Sequence, residues 1–280
     1  MKRQKINVVD KGHVTLVDYM GDDSSIVQAA RVSTGGGTKT AEKDRQLIRY
    51  MMQHRHTSVF EQVIFKFHVK APIFVIRQWH RHRTWSYNEQ SGRYSELSNE
   101  CYIPQEDRLQ PQSSINKQGS EGWIDQELIH PILCQMADDQ HDMKASYQYY
   151  LESISRELAR INLPLSTYTE MYATVDLHNL FHFLKLRLDS HAQYEIRVYA
   201  EAIYELIKPV VPIACEAFED YVLNAKTFSA QEMSVIANLL NAKYQIDSDD
   251  PDKDNVPWNK AINVDLSKRE LEEFKKKLGI

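Results

Sequence analysis

A chain of 280 residues, 42% hydrophobic and 26% charged, has the balance of a globular protein and is long enough to bury a core without metal or disulfide staples. No run of about 18 apolar residues occurs, so no helical membrane span is expected, and the basic start MKRQKINVVDKG lacks the apolar stretch of a secretory signal. Net charge is −5, and the three cysteines (Cys101, Cys134, Cys215) form no CxxC pair, which points to a reducing, cytoplasmic setting and away from a zinc knot or a nucleic-acid polymer as partner.

In chain order, Asp23-Ser24-Ser25 ahead of IVQAARVS predicts a capped helix with Ile26, Ala29 and Ala30 inward. Gly35-Gly36-Gly37 marks a loop. A second helix is expected from Thr40 to about His54, with Leu47, Ile48, Met51 and Met52 on one face. Phe65, Phe67 and Val69 alternate with Lys66, His68 and Lys70, the period of a half-buried strand. Pro72 fits the first turn of a following helix, IFVIRQWH. The stretch 105–137 is polar and irregular and reads as a surface insertion. Tyr147, Tyr150, Leu151, Ile154, Leu158 and Ile161 recur at helical spacing and predict one long helix ending before Pro164. Further helices are expected over about 177–188, 192–207 and 230–242, then the acidic linker DSDDPDKDN and a charged terminal helix near 266–278. The expected architecture is α+β: one domain over 1–225, a mixed or antiparallel sheet flanked by long helices, with a helical extension over 226–280.

The densest chemistry lies between Arg77 and Tyr94, which hold Arg81, Arg83 and Arg93, His80 and His82, and Gln78, Ser86, Asn88, Glu89, Gln90 and Ser91. Guanidinium forks match phosphate oxygens, Gly92 lets backbone N–H groups approach an anion, and Ser91 adds a hydroxyl donor. Asn88 and Glu89 suit ribose hydroxyls or ring amide edges. A basic run is ordinarily a solvated helix face. Here Trp79, Trp85 and Tyr87 are interleaved with the charges and PIFVI precedes them, which argues for a partly buried, anion-lined cleft.

The segment RHRTWSYNEQSGRY resembles the RHRxxSxNExSxRY signature of the flavin-dependent thymidylate synthases, matching at every specified position. Flanking FKFHVKAPIFVIRQW and the later LRLDSHAQYEIRVYA extend the likeness over about residues 5–225. The resemblance implies reductive methylation of dUMP to dTMP, with methylenetetrahydrofolate as carbon donor and FAD, reduced by NADPH, as hydride source. It implies FAD contacts from Arg81, His82 and Arg83, from His56 and Ser58 in HTSVFE, and from Asn88 and Glu89. Many relatives carry Asn-x-Arg and a later Asn where this chain has Asp176, His178 and His182; His178 is expected to replace the arginine near FAD and His182 the asparagine near the flavin ring. For dUMP it implies Gln78, Arg81, Glu89 and Gln90, a phosphate cradle of Ser91, Gly92 and Arg93, and two more arginines, Arg160 late on the long helix and Arg187, which polarises the uracil ring. It also implies a homotetramer with active sites shared between subunits.

Two rival readings use the same residues. His178 and His182 at i, i+4 resemble a helical metal pair, but a zinc protease needs Glu immediately after the first histidine as general base, and Asn179 stands there; no metal is expected. A nucleic-acid module could use Arg81, Arg83, Trp79, Trp85 and Tyr87 for phosphates and stacking, but one short basic run in an acidic chain argues against it. Ser91 has no adjacent base in the sequence to make it a nucleophile, so its expected role is phosphate binding.

Overall fold

The computed structural model describes residues 4–278 except 38, 115, 116, 118 and 247–273. Five strands form one sheet in the order β1-β2-β3-β5-β4, every neighbouring pair antiparallel. They are β1 (Gln4–Val8), β2 (Gly12–Met20), β3 (Ile64–Pro72), β4 (Ser86–Glu89) and β5 (Tyr168–Asp176). The helices of the same unit are α1 (Asp23–Ala30), α2 (Ala41–Gln53), α3 (Ile73–Trp79), α4 (Gln126–Leu151), α5 (Arg156–Ala159), α6 (Leu177–Arg187), α7 (Tyr194–Ile207) and α8 (Pro212–Phe218). This is the α+β class expected. No described helix is long and apolar enough to cross a membrane.

β3 and β5 are the long central pair, in register from Ile64 opposite Asp176 to Pro72 opposite Tyr168. Their alternation puts Phe65, Phe67, Val69, Met171, Ala173 and Val175 on the buried face. The core is completed by Val75, Ile76 and Trp79 of α3, Leu180, Phe183 and Leu184 of α6, and Ile196, Tyr199 and Ile203 of α7. Close approach at the start of β2 demands glycine at position 12: a Cβ there would lie 1.9 Å from the Tyr199 hydroxyl and 2.9 Å from the Lys70 carbonyl oxygen. That hydroxyl donates to the same carbonyl, tying α7 to β3 at 2.8 Å.

Three local expectations shift. α4 starts at Gln126, capped by Asp125, inside the stretch 105–137 that composition marks as irregular, and it carries Pro131 at its sixth position, past the first turn, where proline removes one intrahelical hydrogen bond. The helix expected to run on to Ile161 ends at Leu151. A turn follows, then α5 and a short 3-10 turn over Arg160–Asn162, and Ile154, Leu158 and Ile161 are exposed rather than buried. Helical spacing of apolar residues there does not reflect burial within this chain. Pro72 is the last residue of β3 and the N-cap of α3, so the helix starts one residue later than the proline suggests; Ile73 N and Phe74 N donate back to the carbonyls of Thr167 and Leu165.

The chain divides into a compact unit over Met1–Leu223 and a second over Asn224–Ile280. The second contains α9 (Ala230–Ile246), started by a reciprocal cap in which Glu232 N donates to Ser229 Oγ and Ser229 N to Glu232. Lys277, on a short helical stretch, pairs with Glu232 at 2.7 Å. The acidic linker and the start of the expected terminal helix lie outside the described residues.

Candidate functional site

The arginine–histidine motif is anchored by its own aromatics. Trp79 stacks on Phe183 of α6 at 5.0 Å and meets Trp85 edge-on at 5.8 Å. The Tyr87 hydroxyl donates to the carbonyls of His82 and Trp79, closing the loop between α3 and β4 over residues 80–85. With the tryptophans pulled into the core, Arg81 and Arg83 are left exposed, and His82 is buried at 6% exposure against Phe183.

Three clusters hold the residues singled out in the sequence. In the first, α6 delivers Arg187 from its last turn, a favoured place for a cation. Arg187 Nε donates to His82 Nε2 at 3.0 Å, and Arg187 Nη2 donates to the Gln78 carbonyl at 3.3 Å. The His82 ring also meets His182 edge-on at 6.0 Å. Burial, the Arg187 charge and then His182 push the His82 pKa down from 6.5 to about 4. His82 is therefore neutral at physiological pH, and because Nε2 accepts from Arg187, its proton sits on Nδ1. Burial and then the charge of Arg81 lower the pKa of Arg187.

The second cluster is β4 and the turn after it. Glu89 accepts from the buried Thr169 hydroxyl at 3.1 Å and lies 3.9 Å from His80 Nε2. Gln90 N continues the strand pairing by donating to the Glu170 carbonyl at 2.8 Å. Tyr94 N and Ser95 N then both donate to the Ser91 carbonyl, which folds Ser91–Arg93 into a tight turn, with Ser91 Oγ accepting from Arg93 N at 3.3 Å. Gly92 is buried in that turn, and a Cβ on it would come within 3.0 Å of Arg160 Cδ and of Leu97 Cδ1. Arg160 is thus brought against the turn, and Arg93 pairs with Glu157 at 3.3 Å beside it. Asn88, Glu89 and Gln90 also line a cavity of about 390 Å³ with His68, Glu170 and Tyr172.

The third cluster is where the 3-10 segment Thr57–Gln62 packs on the start of α6. His56 and Ser58 are exposed there, and His56 stacks with Tyr50 at 6.1 Å. Asp176 is the N-cap of α6, accepting from Asn179 N at 2.9 Å and from Asn179 Nδ2 at 2.6 Å. His178 is half-buried and His182 exposed one turn along. α6 therefore joins the third cluster to the first. Among the described residues no three His, Cys, Asp or Glu side chains are gathered to hold a metal ion.

The side chain of Gln78 does something the sequence does not reveal: its Nε2 donates to Gln193 Oε1 at 2.5 Å. Gln193, Glu195 and Tyr102 carry no role in the sequence reading, although QYEIR lies within the second block of resemblance. They line a cavity of about 830 Å³ with Arg108 and Arg197.

Comparison with known proteins gives a consistent result. Residues 15–213 match the family described as "Thymidylate synthase complementing protein". A flavin-dependent thymidylate synthase of Treponema denticola is 53% identical over 242 residues, covering 86% of this chain and 91% of that protein. One from Thermus thermophilus is 55% identical, covering 84% and 86%, and one from Rickettsia conorii is 43% identical, covering 93% of each. Among solved structures, the UMP/dUMP methylase PolB from Streptomyces cacaoi bound with 5-Br dUMP superposes with a TM-score of 0.71 at 36% identity, covering 78% of this chain and 99% of that one.

Proposed function

From this chain's membership of the thymidylate synthase complementing protein family, shared with relatives that are flavin-dependent thymidylate synthases, we propose that it methylates dUMP to dTMP reductively. Methylenetetrahydrofolate is the carbon donor, and FAD is the cofactor, reduced by NADPH. The observation that carries the reading is the 3.0 Å bond from Arg187 to His82, which joins residues 105 positions apart into one cationic corner.

The donor set fits both groups. The turn over Ser91–Arg93 presents backbone N–H groups and hydroxyl, and Gly92 supplies clearance that any side chain would fill. Arg93 and Arg160 bring cations to that turn, so the dUMP phosphate is assigned there. The flavin is assigned to Arg81, His82 and Arg83, to Asn88 and Glu89, and to the strip His56, Ser58, Asp176, His178 and His182. When bound, the flavin supplies the hydride that completes the methyl group.

The chain's own part is orientation and charge. Uracil carbon 5 is a weak nucleophile, and a fixed cation beside the ring stabilises the negative charge that builds as it attacks. Arg187 is restrained at two of its nitrogens, by His82 and by the Gln78 carbonyl, so it need not reorganise as that charge forms. Gln78, on the other side of that carbonyl, is assigned to the pyrimidine edge. No cysteine is suited to act as nucleophile: Cys101 and Cys215 are buried, and burial, then Asp23, push the Cys215 thiol up to about 12, while Cys134 is exposed on α4 outside all three clusters. Exposed Ile154, Leu158 and Ile161 near Arg160 offer an apolar face to a second subunit; the homotetramer with shared sites is carried over from the family resemblance. The domain carrying this chemistry is residues 1–225.

The test is direct. Purified protein should carry flavin absorbance and form dTMP from dUMP only when methylenetetrahydrofolate and NADPH are both supplied. Arg187→Ala should keep the chromophore and lose about 10²- to 10³-fold in turnover, the scale for removing one preorganised donor. Full turnover in that variant would remove Arg187 from the chemistry, and absence of flavin from the native protein would overturn the reading as a whole.

A further inference from the structure

An amide side chain has two ends, and Gln78 is the first member of a hydrogen-bonded relay that bears on which end it turns outward. Gln78 Nε2 donates to Gln193 Oε1 at 2.5 Å, and Gln193 Nε2 donates to Glu195 Oε2 at 2.8 Å. The other carboxylate oxygen, Glu195 Oε1, accepts from the Tyr102 hydroxyl at 3.1 Å and lies 3.7 Å from Arg108 Nε. Glu195 is 6% exposed and Tyr102 7%, so the carboxylate end of the relay is shielded from water, while Gln193 and its bond to Gln78 lie at the surface.

Polarity runs along this chain in one direction. A carboxylate accepts and cannot donate, so Gln193 must turn its NH₂ toward Glu195. Its Oε1 is then the atom left to face Gln78, and that oxygen requires the NH₂ of Gln78. Gln78 is left with Oε1 and its second N–H directed away from the relay. Reversing Gln78 alone would set two carbonyl oxygens against each other. Reversing Gln193 as well would set its carbonyl oxygen against the buried Glu195 carboxylate, two acceptors with no proton between them.

We infer that Glu195, acting through Gln193, is a positioning residue that makes Gln78 select uracil over cytosine. Uracil offers a donor at N3–H beside an acceptor at O4, which pairs with an acceptor and a donor on Gln78. Cytosine offers an acceptor at N3 beside a donor at N4, which pairs only with the reversed amide that the relay forbids. A site whose polar groups are committed in this way rejects a mismatched analogue far more strongly than an apolar pocket rejects an extra methylene. The inference rests on Gln78 contacting the pyrimidine, as proposed above.

Glu195→Gln is the isosteric test. An amide at 195 can pair with Gln193 in either orientation, so Gln193 and Gln78 become free to reverse. The measurement, on the full-length flavin-loaded protein, is the ratio of the dCMP inhibition constant to the dUMP Michaelis constant. The expected result is a fall in that ratio of at least about tenfold, the worth of one hydrogen bond turned from mismatched to matched, with dCMP binding tightening in absolute terms. Gln193→Met breaks the relay while leaving Glu195 and Tyr102 in place, and should move the ratio the same way. If either folded variant weakens both nucleotides equally, the relay is only structural and the inference is overturned. A native protein that binds dUMP and dCMP alike overturns it without any variant. Failure of the native protein to bind dUMP at all would instead strike the proposed function.

Discussion

His82 sits uncharged beside Arg187 and His182, and the consequence can be worked through in energy and pH. Moving the imidazole from its ordinary 6.5 to about 4 means that charging it in place costs about 3 kcal/mol. In the unfolded chain the same ring takes up a proton near 6.5. The unfolded state therefore binds more protons between those values. The stabilising contribution is complete above pH 6.5 and is lost progressively as pH falls to 4. His13 is also pushed down to about 4, by burial and then by Lys5 and His68, so the native protein titrates twice in this window. His82→Gln separates the two, because the glutamine amide oxygen can still accept from Arg187 while no proton is gained. Urea unfolding of the native protein and the variant at pH 7 and pH 4.5 should show the native protein losing about 2 to 3 kcal/mol more than the variant on acidification. Imidazole resonances followed over the same range should leave the His82 signal unshifted down to pH 5. Parallel stability curves, or a His82 signal titrating near 6.5, would refute the buried, neutral, arginine-facing histidine.

Two further perturbations address the other clusters. Gly92→Ala places a Cβ 3.0 Å from Arg160 Cδ and Leu97 Cδ1; the flexible arginine should yield, so stability should fall by about 1 kcal/mol while the Michaelis constant for dUMP rises about tenfold, and an unchanged constant would take Arg160 out of the proposed phosphate site. Asp176→Ala should cost about 1 kcal/mol in urea unfolding through loss of the α6 cap, and Asp176→Asn should restore most of it. Flavin content that drops in the Asn variant despite restored stability would mean that the Asp176 carboxylate serves the cofactor as well as the helix.

The chemistry of this chain is legible in sequence where it is local. RHRTWSYNEQSGRY places its arginines, histidine, glycine and hydroxyls within one loop, strand and turn, and so its type can be recognised without knowing where the loop goes. The α1 and α2 starts are local too, although the α1 cap falls on Asp22, one residue before the Asp23-Ser24-Ser25 expected, which lie inside the helix; Thr40 caps α2. β5 carries a readable period too, Thr169, Met171, Ala173 and Val175 buried between Glu170, Tyr172 and Thr174, yet it is absent from the strands expected of the sequence. β4 could not be read that way, because a four-residue edge strand of Ser86, Tyr87, Asn88 and Glu89 has no apolar period and owes its form to pairing with β5. Helical spacing misleads at Ile154, Leu158 and Ile161, since periodicity records which residues share a face and not whether anything in the same chain covers it.

What the tertiary structure decided are the contacts between distant positions. Arg187 reaches His82 across 105 residues, Gln78 reaches Gln193 across 115, and Arg160 comes against Gly92 only because the expected long helix stops at Leu151 and the chain turns back. The sequence determines which residues are able to bind an anion. Burial of His82 and the polarity of the Glu195–Gln193–Gln78 relay depend on what packs behind them, and that is settled when the sheet brings α3, α6 and α7 together.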